Sequence, residues 1–280
     1  MKLKLLLIFT LLISIGCGKD TEPDQSYIVN DEKSDVLSTS VTDDLNSSGN
    51  QVTANAQALS EELLKDVSFE EDSCESNNIL RDVLIFGEKI KSLGGNVLDL
   101  DEYGADEVEF QKFLTDSGVQ SMSAMDIANS GTKSTMKSCN EKNMIPPKSC
   151  WYRSLAFSLL KDKIEDETGV NTTLTSHYRS SCYNNKLGGA KKSDHISAKA
   201  MDFSMGNQEN RHQVEKFICD KLWKENYFMD SETEALSNVS IGLGKTYIHL
   251  GLDSTHGRRH WVYNDYAKAN NMPATCWNIN

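Results

Sequence analysis

His195 and Asp202 stand seven residues apart in Ser193-Asp194-His195-Ile196-Ser197-Ala198-Lys199-Ala200-Met201-Asp202, with small residues between them. In a β-turn-β arrangement two such side chains can converge on one point. A third group must come from elsewhere, and His249 is suited to it. Ile248 and Leu250 flank it, and in a strand their apolar side chains point to the opposite face. Two imidazoles and one carboxylate fit the catalytic zinc pattern of three protein ligands and a fourth position for water. Spacing alone leaves this set open, because a lone His on a strand is more often packed or solvent-facing than bound to metal.

A longer pattern surrounds these residues. It comprises Ser176-His177-Tyr178-Arg179-Ser180-Ser181-Cys182-Tyr183-Asn184, Leu187-Gly188-Gly189-Ala190, Ser193-x-His195 and Ala200-x-Asp202. It closely resembles the zinc D-Ala-D-Ala carboxypeptidases, which share the hedgehog/D,D-peptidase fold. Gly242-Leu243-Gly244, Tyr247-Ile248-His249 and Arg259-His260-Trp261 resemble that family's closing segment. The likeness runs in order over roughly residues 105 to 265. It implies one Zn2+ ion held by His195, Asp202 and His249. It implies that Arg179 holds a substrate carboxylate or helps polarise the scissile carbonyl, tasks that suit a planar, permanently charged fork. Ser193 would lie behind the ligands, face the substrate or serve only the turn. Gly188 and Gly189 would give the backbone freedom for the turn leading to His195.

The resemblance therefore implies a zinc-dependent peptidase that hydrolyses peptidoglycan stem peptides, as a D,D-carboxypeptidase or an endopeptidase. Three positions depart from the pattern. His177 replaces a Gly, and Ala198 replaces a common Gly between the first two ligands. The third departure concerns the general base: many related sequences read aromatic-x-His-x-Asp, whereas here Gly251 follows His249 by two and Thr246 precedes it by three. Asp253 is the nearest carboxylate and is the expected catalytic base after a local shift. His256 and His260 are alternatives, and each of the three also reads as a surface loop residue. The gap sustains a second reading, a catalytically inactive zinc-containing module that binds peptidoglycan or protein.

The elements that must position these residues are legible in outline. Apolar periodicity predicts a helix over Trp151 to Ile164 and another over Val214 to Trp223. Short strands are expected at Thr172 to His177, Ala200 to Ser204, Val239 to Leu243 and Lys245 to Leu250, with a last, edge strand at Arg259 to Tyr263. Cys182 to Leu187 reads as a short helix stopped by Gly188-Gly189. The class is α+β, a small antiparallel sheet with flanking helices, hedgehog/D,D-peptidase-like.

The rest of the chain divides by composition. Residues 1–16 read as a lipoprotein signal peptide, with Lys2 and Lys4 before an apolar run from Leu5 to Ile15 that is too short to span a bilayer. Gly16-Cys17 then resembles a bacterial lipobox, although Ser14 stands where Leu is usual. Lipidated Cys17 would attach the chain to the membrane. Residues 17–58, rich in Asp, Glu, Ser, Thr and Asn, read as a disordered tether with a reach of about 35 Å. Residues 59–104 read as a helical extension ending near Gly94-Gly95, with its acidic residues on a solvated face, and residues 105–280 as the zinc D,D-peptidase-like domain. The expected location is the periplasmic face of the bacterial envelope, lipid-anchored, or outside the cell. Setting Cys17 aside, six of the seven cysteines remain, an even number that argues for disulfides in an exported chain. Their pairing is open. A net charge of -12 excludes nucleic acid as a natural partner, since phosphate binding needs clustered Lys and Arg.

Overall fold

The computed structural model describes residues 74, 79–224 and 238–268. The expected signal peptide, Cys17, the expected tether, Cys276 and most of residues 59–78 lie outside the described residues. The elements in chain order are α1 (Ile79–Ser92), α2 (Glu107–Asp116), α3 (Ala124–Ala128), α4 (Lys133–Ser138), α5 (Trp151–Thr168), β1 (Thr173–Ser176), α6 (Ser181–Lys186), β2 (Ala200–Ser204), α7 (Gln208–Phe217), β3 (Ser240–Leu243), β4 (Tyr247–Gly251), β5 (Arg259–Val262) and α8 (Asn264–Lys268). None of the described helices is long and apolar enough to cross a membrane.

Helix boundaries follow local chemistry. Asp106, Ser123, Ser180 and Asn207 cap α2, α3, α6 and α7 by accepting a backbone N–H with the side chain, which satisfies a donor that the helix cannot. Helix α5 stops at Gly169, in the left-handed region at φ 65. Helix α1 ends ahead of Gly94 and Gly95. A Cβ on Gly95 would meet Leu159 Cδ1 at 2.3 Å, so this glycine lets the chain cross α5 closely.

The sheet has strand order β1-β2-β4-β3-β5. Every pair is antiparallel except β3 and β5, which run parallel, so the expected antiparallel sheet is a mixed one. The reason lies in the connection. Gly251, ending β4, and Arg259, starting β5, both pair with Ser240. The intervening loop crosses the end of β3, and β5 must then run back along it.

Side-chain alternation gives the sheet two unlike faces. Met201, Phe203, Ile241, Leu243, Ile248 and Leu250 face one core together with residues of α1, α2, α5 and α7. Asp202, His249, Gly242 and Trp261 pair across the other face in one row. Helix α5 differs from the amphipathic helix expected, since residues 151–161 are all buried. Its polar residues Arg153 and Ser154 are therefore committed to partners inside the protein. The extension's helix α1 shares this core through Ile85, Phe86 and Ile90. Its Asp82 is fully buried, not on a solvated face, and bonds Arg153 Nε at 2.6 Å.

Cys74–Cys150 and Cys139–Cys182 are disulfides, and Cys219 is disulfide-bonded as well. The first ties the chain ahead of α1 to the start of α5. The second ties α4 to α6.

Candidate metal centre

His195 lies on a 3-10 turn, Asp194–Ser197, rather than in a β-turn-β unit. Ala198 follows at φ 53, a left-handed conformation in which a Cβ costs about 1 kcal/mol. This is the position where related sequences commonly have Gly. Asp194 pins the turn from behind, accepting from Ser254 Oγ at 2.7 Å and from Thr255 N and Oγ1 at 3.1 Å. Asp202 and His249 sit directly opposite each other on β2 and β4. Their shared face follows from strand parity alone, since Ile248 and Leu250 point into the core.

The three side chains converge. One ligand atom from each of His195, Asp202 and His249 lies within 4.8 Å of the others. His195 Nε2 is 3.2 Å from Asp202 Oδ2, and His249 Nδ1 is 2.7 Å from Asp202 Oδ1. His195 Nδ1 lies 2.6 Å from the His177 carbonyl oxygen. A carbonyl only accepts, so Nδ1 carries the proton and Nε2 the lone pair. His195 Nε2 and His249 Nε2 are buried and have no hydrogen-bond partner among the described residues. Unsatisfied buried nitrogens of this kind are uncommon and are what metal ligands would look like without their ion. A tetrahedral zinc with ligand bonds near 2.0–2.2 Å separates its ligand atoms by roughly 3.4 Å, close to the 3.2 Å between His195 Nε2 and Asp202 Oδ2. The donor set thus fits a zinc ion.

Electrostatics agree. Burial pushes the His195 imidazole below its usual range, and the Arg179 charge adds to that, so the ring stays neutral, the form that binds metal. Burial alone would raise the Asp202 carboxyl, but its hydrogen-bonding surroundings hold it well below the usual carboxylate range. Arg179 donates from Nη2 to Asp202 Oδ2 at 2.8 Å and from Nε to Ser176 Oγ at 2.8 Å. Trp261 flanks the other side, with its ring 5.1 Å from that of His249. Gly242 lies beneath this indole, and a Cβ there would meet its Cε2 at 2.5 Å.

A cleft of about 550 Å³ opens beside the triad, lined by Asp202 and Arg179 together with Thr132, Tyr183, Tyr247 and Tyr263. Tyr183 Oη accepts from Thr132 N at 2.7 Å, which ties the α3–α4 connection to α6. The Tyr247 and Tyr263 rings lie 5.2 Å apart. Of this wall, Arg179 and Asp202 are expected from sequence, and Tyr183 and Tyr247 stand in the quoted pattern without a role of their own. Strand parity could have found Tyr247, two residues before His249. Thr132 and its neighbours carry no signal of their own.

Of the expected catalytic pair, Arg179 reaches the ligands and Asp253 does not. Asp253 is neither in the ligand cluster nor on the cleft wall. Its Oδ2 is bonded by Arg81 Nη2 at 2.8 Å and Lys199 Nζ at 2.7 Å, so the carboxyl group is engaged by two cations away from the cleft. The alternatives are elsewhere too. His256 Nε2 lies 2.8 Å from the Lys192 carbonyl oxygen, and the His260 ring packs edge-on against Trp223 at 5.0 Å. Ser193 starts the His195 turn without a side-chain capping bond. At Gly251 the missing acid has a steric counterpart, since a Cβ would lie 2.1 Å from Ser240 Oγ.

Residues 120–233 match a family described as Peptidase M15. The match includes His195, Asp202 and Arg179 and ends before His249. No curated protein and no solved structure matches the chain.

Proposed function

We propose, on the premise that residues 120–233 match Peptidase M15, a family like the zinc D-Ala-D-Ala carboxypeptidases, that this chain is a zinc-dependent peptidase hydrolysing peptidoglycan stem peptides at the bacterial envelope. One observation carries the reading: His195, Asp202 and His249 converge beside a cleft that Arg179 and Asp202 share. These three residues would hold the zinc, with His195 using Nε2. Bound zinc supplies Lewis acidity and activates water near neutral pH.

The chain's own residues supply orientation and dryness. Arg179, braced by Ser176 and Asp202, is a positive charge at a fixed place on the cleft wall. It suits a carboxylate or a developing negative charge on a carbonyl oxygen. Tyr183, Tyr247 and Tyr263 offer flat apolar faces with polar rims, a surface for an extended peptide with few charges. His195 and His249 are only 2% and 6% exposed, which keeps bulk water away from the ligands. Export and a lipid on Cys17, with the tether behind it, would hold the domain within reach of the wall.

Purified peptidoglycan digested by the chain, with products read by mass spectrometry, tests this. Release of D-Ala or loss of cross-linked dimers is expected, with one zinc per chain. His195→Ala should abolish both metal and products. A second reading is a metal-holding binding module without hydrolysis. Ser240 favours it, since its hydroxyl occupies the space that an acidic residue at position 251 would need. A folded, zinc-loaded chain that pellets with the wall and releases nothing would establish the module and overturn the peptidase.

A further inference from the structure

Behind the ligands lies a buried cluster of five charged side chains, Arg81, Asp82, Arg153, Lys199 and Asp253. Two come from α1, one from α5 and two from the segments that carry the ligands. Arg153 bonds Asp82 Oδ2 through Nε at 2.6 Å and donates from Nη1 to the Ser197 carbonyl at 2.8 Å. Ser197 is two residues from His195. Lys199, three residues before Asp202, meets Asp253 Oδ2 at 2.7 Å, and Arg81 meets the same oxygen at 2.8 Å. Asp253 follows His249 by four residues and stands at φ 51, a conformation that persists only where its surroundings over-determine it. The Leu252 N–H donates to the Lys199 carbonyl at 3.0 Å, closing the link between the strands of Asp202 and His249.

Each ligand-bearing segment is thus tied, within four residues of its ligand, to charges anchored on α1 and α5. The Cys74–Cys150 disulfide reinforces the same contact. It packs with Ala198 in the His195 turn, and Ser149 Oγ bonds the Cys74 carbonyl. A helix that merely extended the domain would have no reason to bury Arg81 and Asp82 against this loop, because buried charges are expensive unless paired.

We infer that α1 sets the spacing of the three ligands, with Arg81 and Asp253 as positioning residues, so that the N-terminal segment is a determinant of metal affinity. The inference rests on the zinc reading above. Groups hydrogen-bonded to a metal ligand typically govern affinity by about 10–100-fold, and Arg81 and Asp253 act one step behind them, through the segments that carry the ligands. Arg81→Met keeps the bulk and removes the charge. It also leaves Asp253 with one cation fewer, so the loop after His249 should relax.

Zinc affinity of the full chain, measured by competition with a chromophoric chelator, tests this beside the thermal midpoint of the zinc-free protein. Arg81→Met and Asp253→Asn should each weaken zinc by up to about tenfold, the lower end of that range, and Arg81→Lys should recover most of the loss. Arg81→Gln, which keeps a hydrogen-bonding amide, serves where Arg81→Met does not fold. Affinity within twofold of the unsubstituted chain in a folded charge-removing variant would overturn the inference and leave the zinc reading intact. An unsubstituted chain that binds no zinc would overturn both.

Discussion

His195 keeps a lone pair on Nε2 because the ring proton sits on Nδ1, and its acceptor is the carbonyl of His177. The side chain of His177 has a separate task. Its Nδ1 lies 2.8 Å from the Ala200 carbonyl and its Nε2 2.8 Å from Ser154 Oγ. The carbonyl only accepts, so Nδ1 is protonated and Ser154 donates to Nε2. The ring is fully buried, and burial pushes its pKa from 6.5 down to about 4. Between these values the unfolded chain binds the proton and the folded chain does not, so stability falls as pH drops through the window. The difference corresponds to about 3 kcal/mol fully lost below pH 4. Unfolding in urea at pH 7 and pH 4.5 should show the chain losing more stability on acidification than His177→Asn. Equal losses would assign the acid sensitivity to other groups. The grouping of His195, Asp202 and His249 was legible in the sequence, because they sit in a recognisable order. The role of His177 was not. Its value depends on Ser154, which sits on another helix and is buried only because α5 is buried on all sides.

Strand parity explains most of what could be read at the scale of elements. One alternation on β4 put His249 and Tyr247 on the open face and Ile248 and Leu250 in the core, and the registered pairs follow it. Short helices such as α3 and α4 leave little periodicity to read, and a helix buried all round hides its environment from any pattern of polar and apolar residues. The cross-strand pair of Gly251 and Ser240 is likewise invisible in sequence, since register is set by the whole sheet. Its consequence is measurable. A Cβ at position 251 would lie 2.1 Å from Ser240 Oγ, and Ser240 is fully buried. Gly251→Ala should therefore destabilise the domain by about 1–3 kcal/mol, the usual range for overpacking. In a Ser240→Ala background the same change should be nearly neutral, giving a coupling above about 1 kcal/mol in a double-mutant cycle. Additive effects would show that the sheet yields elsewhere. The pair also explains why an acid cannot simply be restored at position 251 while Ser240 keeps its hydroxyl there.

Among the described residues, two long covalent loops add to what the core supplies. With Cys17 set aside, an even number of cysteines pointed to disulfides, but pairing needs the packing of α1 on α5 and of α4 against α6, which no spacing encodes. The Cys74–Cys150 bond spans 76 residues and Cys139–Cys182 spans 43. Loops of such length restrain the unfolded chain by about 4 kcal/mol each in the chain-entropy account, against a total stability of about 5–15 kcal/mol for a domain. Removing either bond should lower the thermal midpoint of the zinc-free protein by about 5–15 °C. The two bonds differ in what else they hold. Cys139–Cys182 braces the side of the cleft where Tyr183 meets Thr132, away from the ligands, whereas Cys74–Cys150 touches the His195 turn through Ala198. Cys139→Ser with Cys182→Ser should therefore lower the midpoint and leave zinc affinity within about threefold, and Cys74→Ser with Cys150→Ser should lower both. Calorimetry with a chelator present, which removes the stabilisation that binding itself confers, gives the first quantity, and metal competition gives the second. Equal effects of the two pairs on zinc would mean that the ligands respond to global stability alone, and unequal effects would mean that the N-terminal bond acts on the metal centre locally.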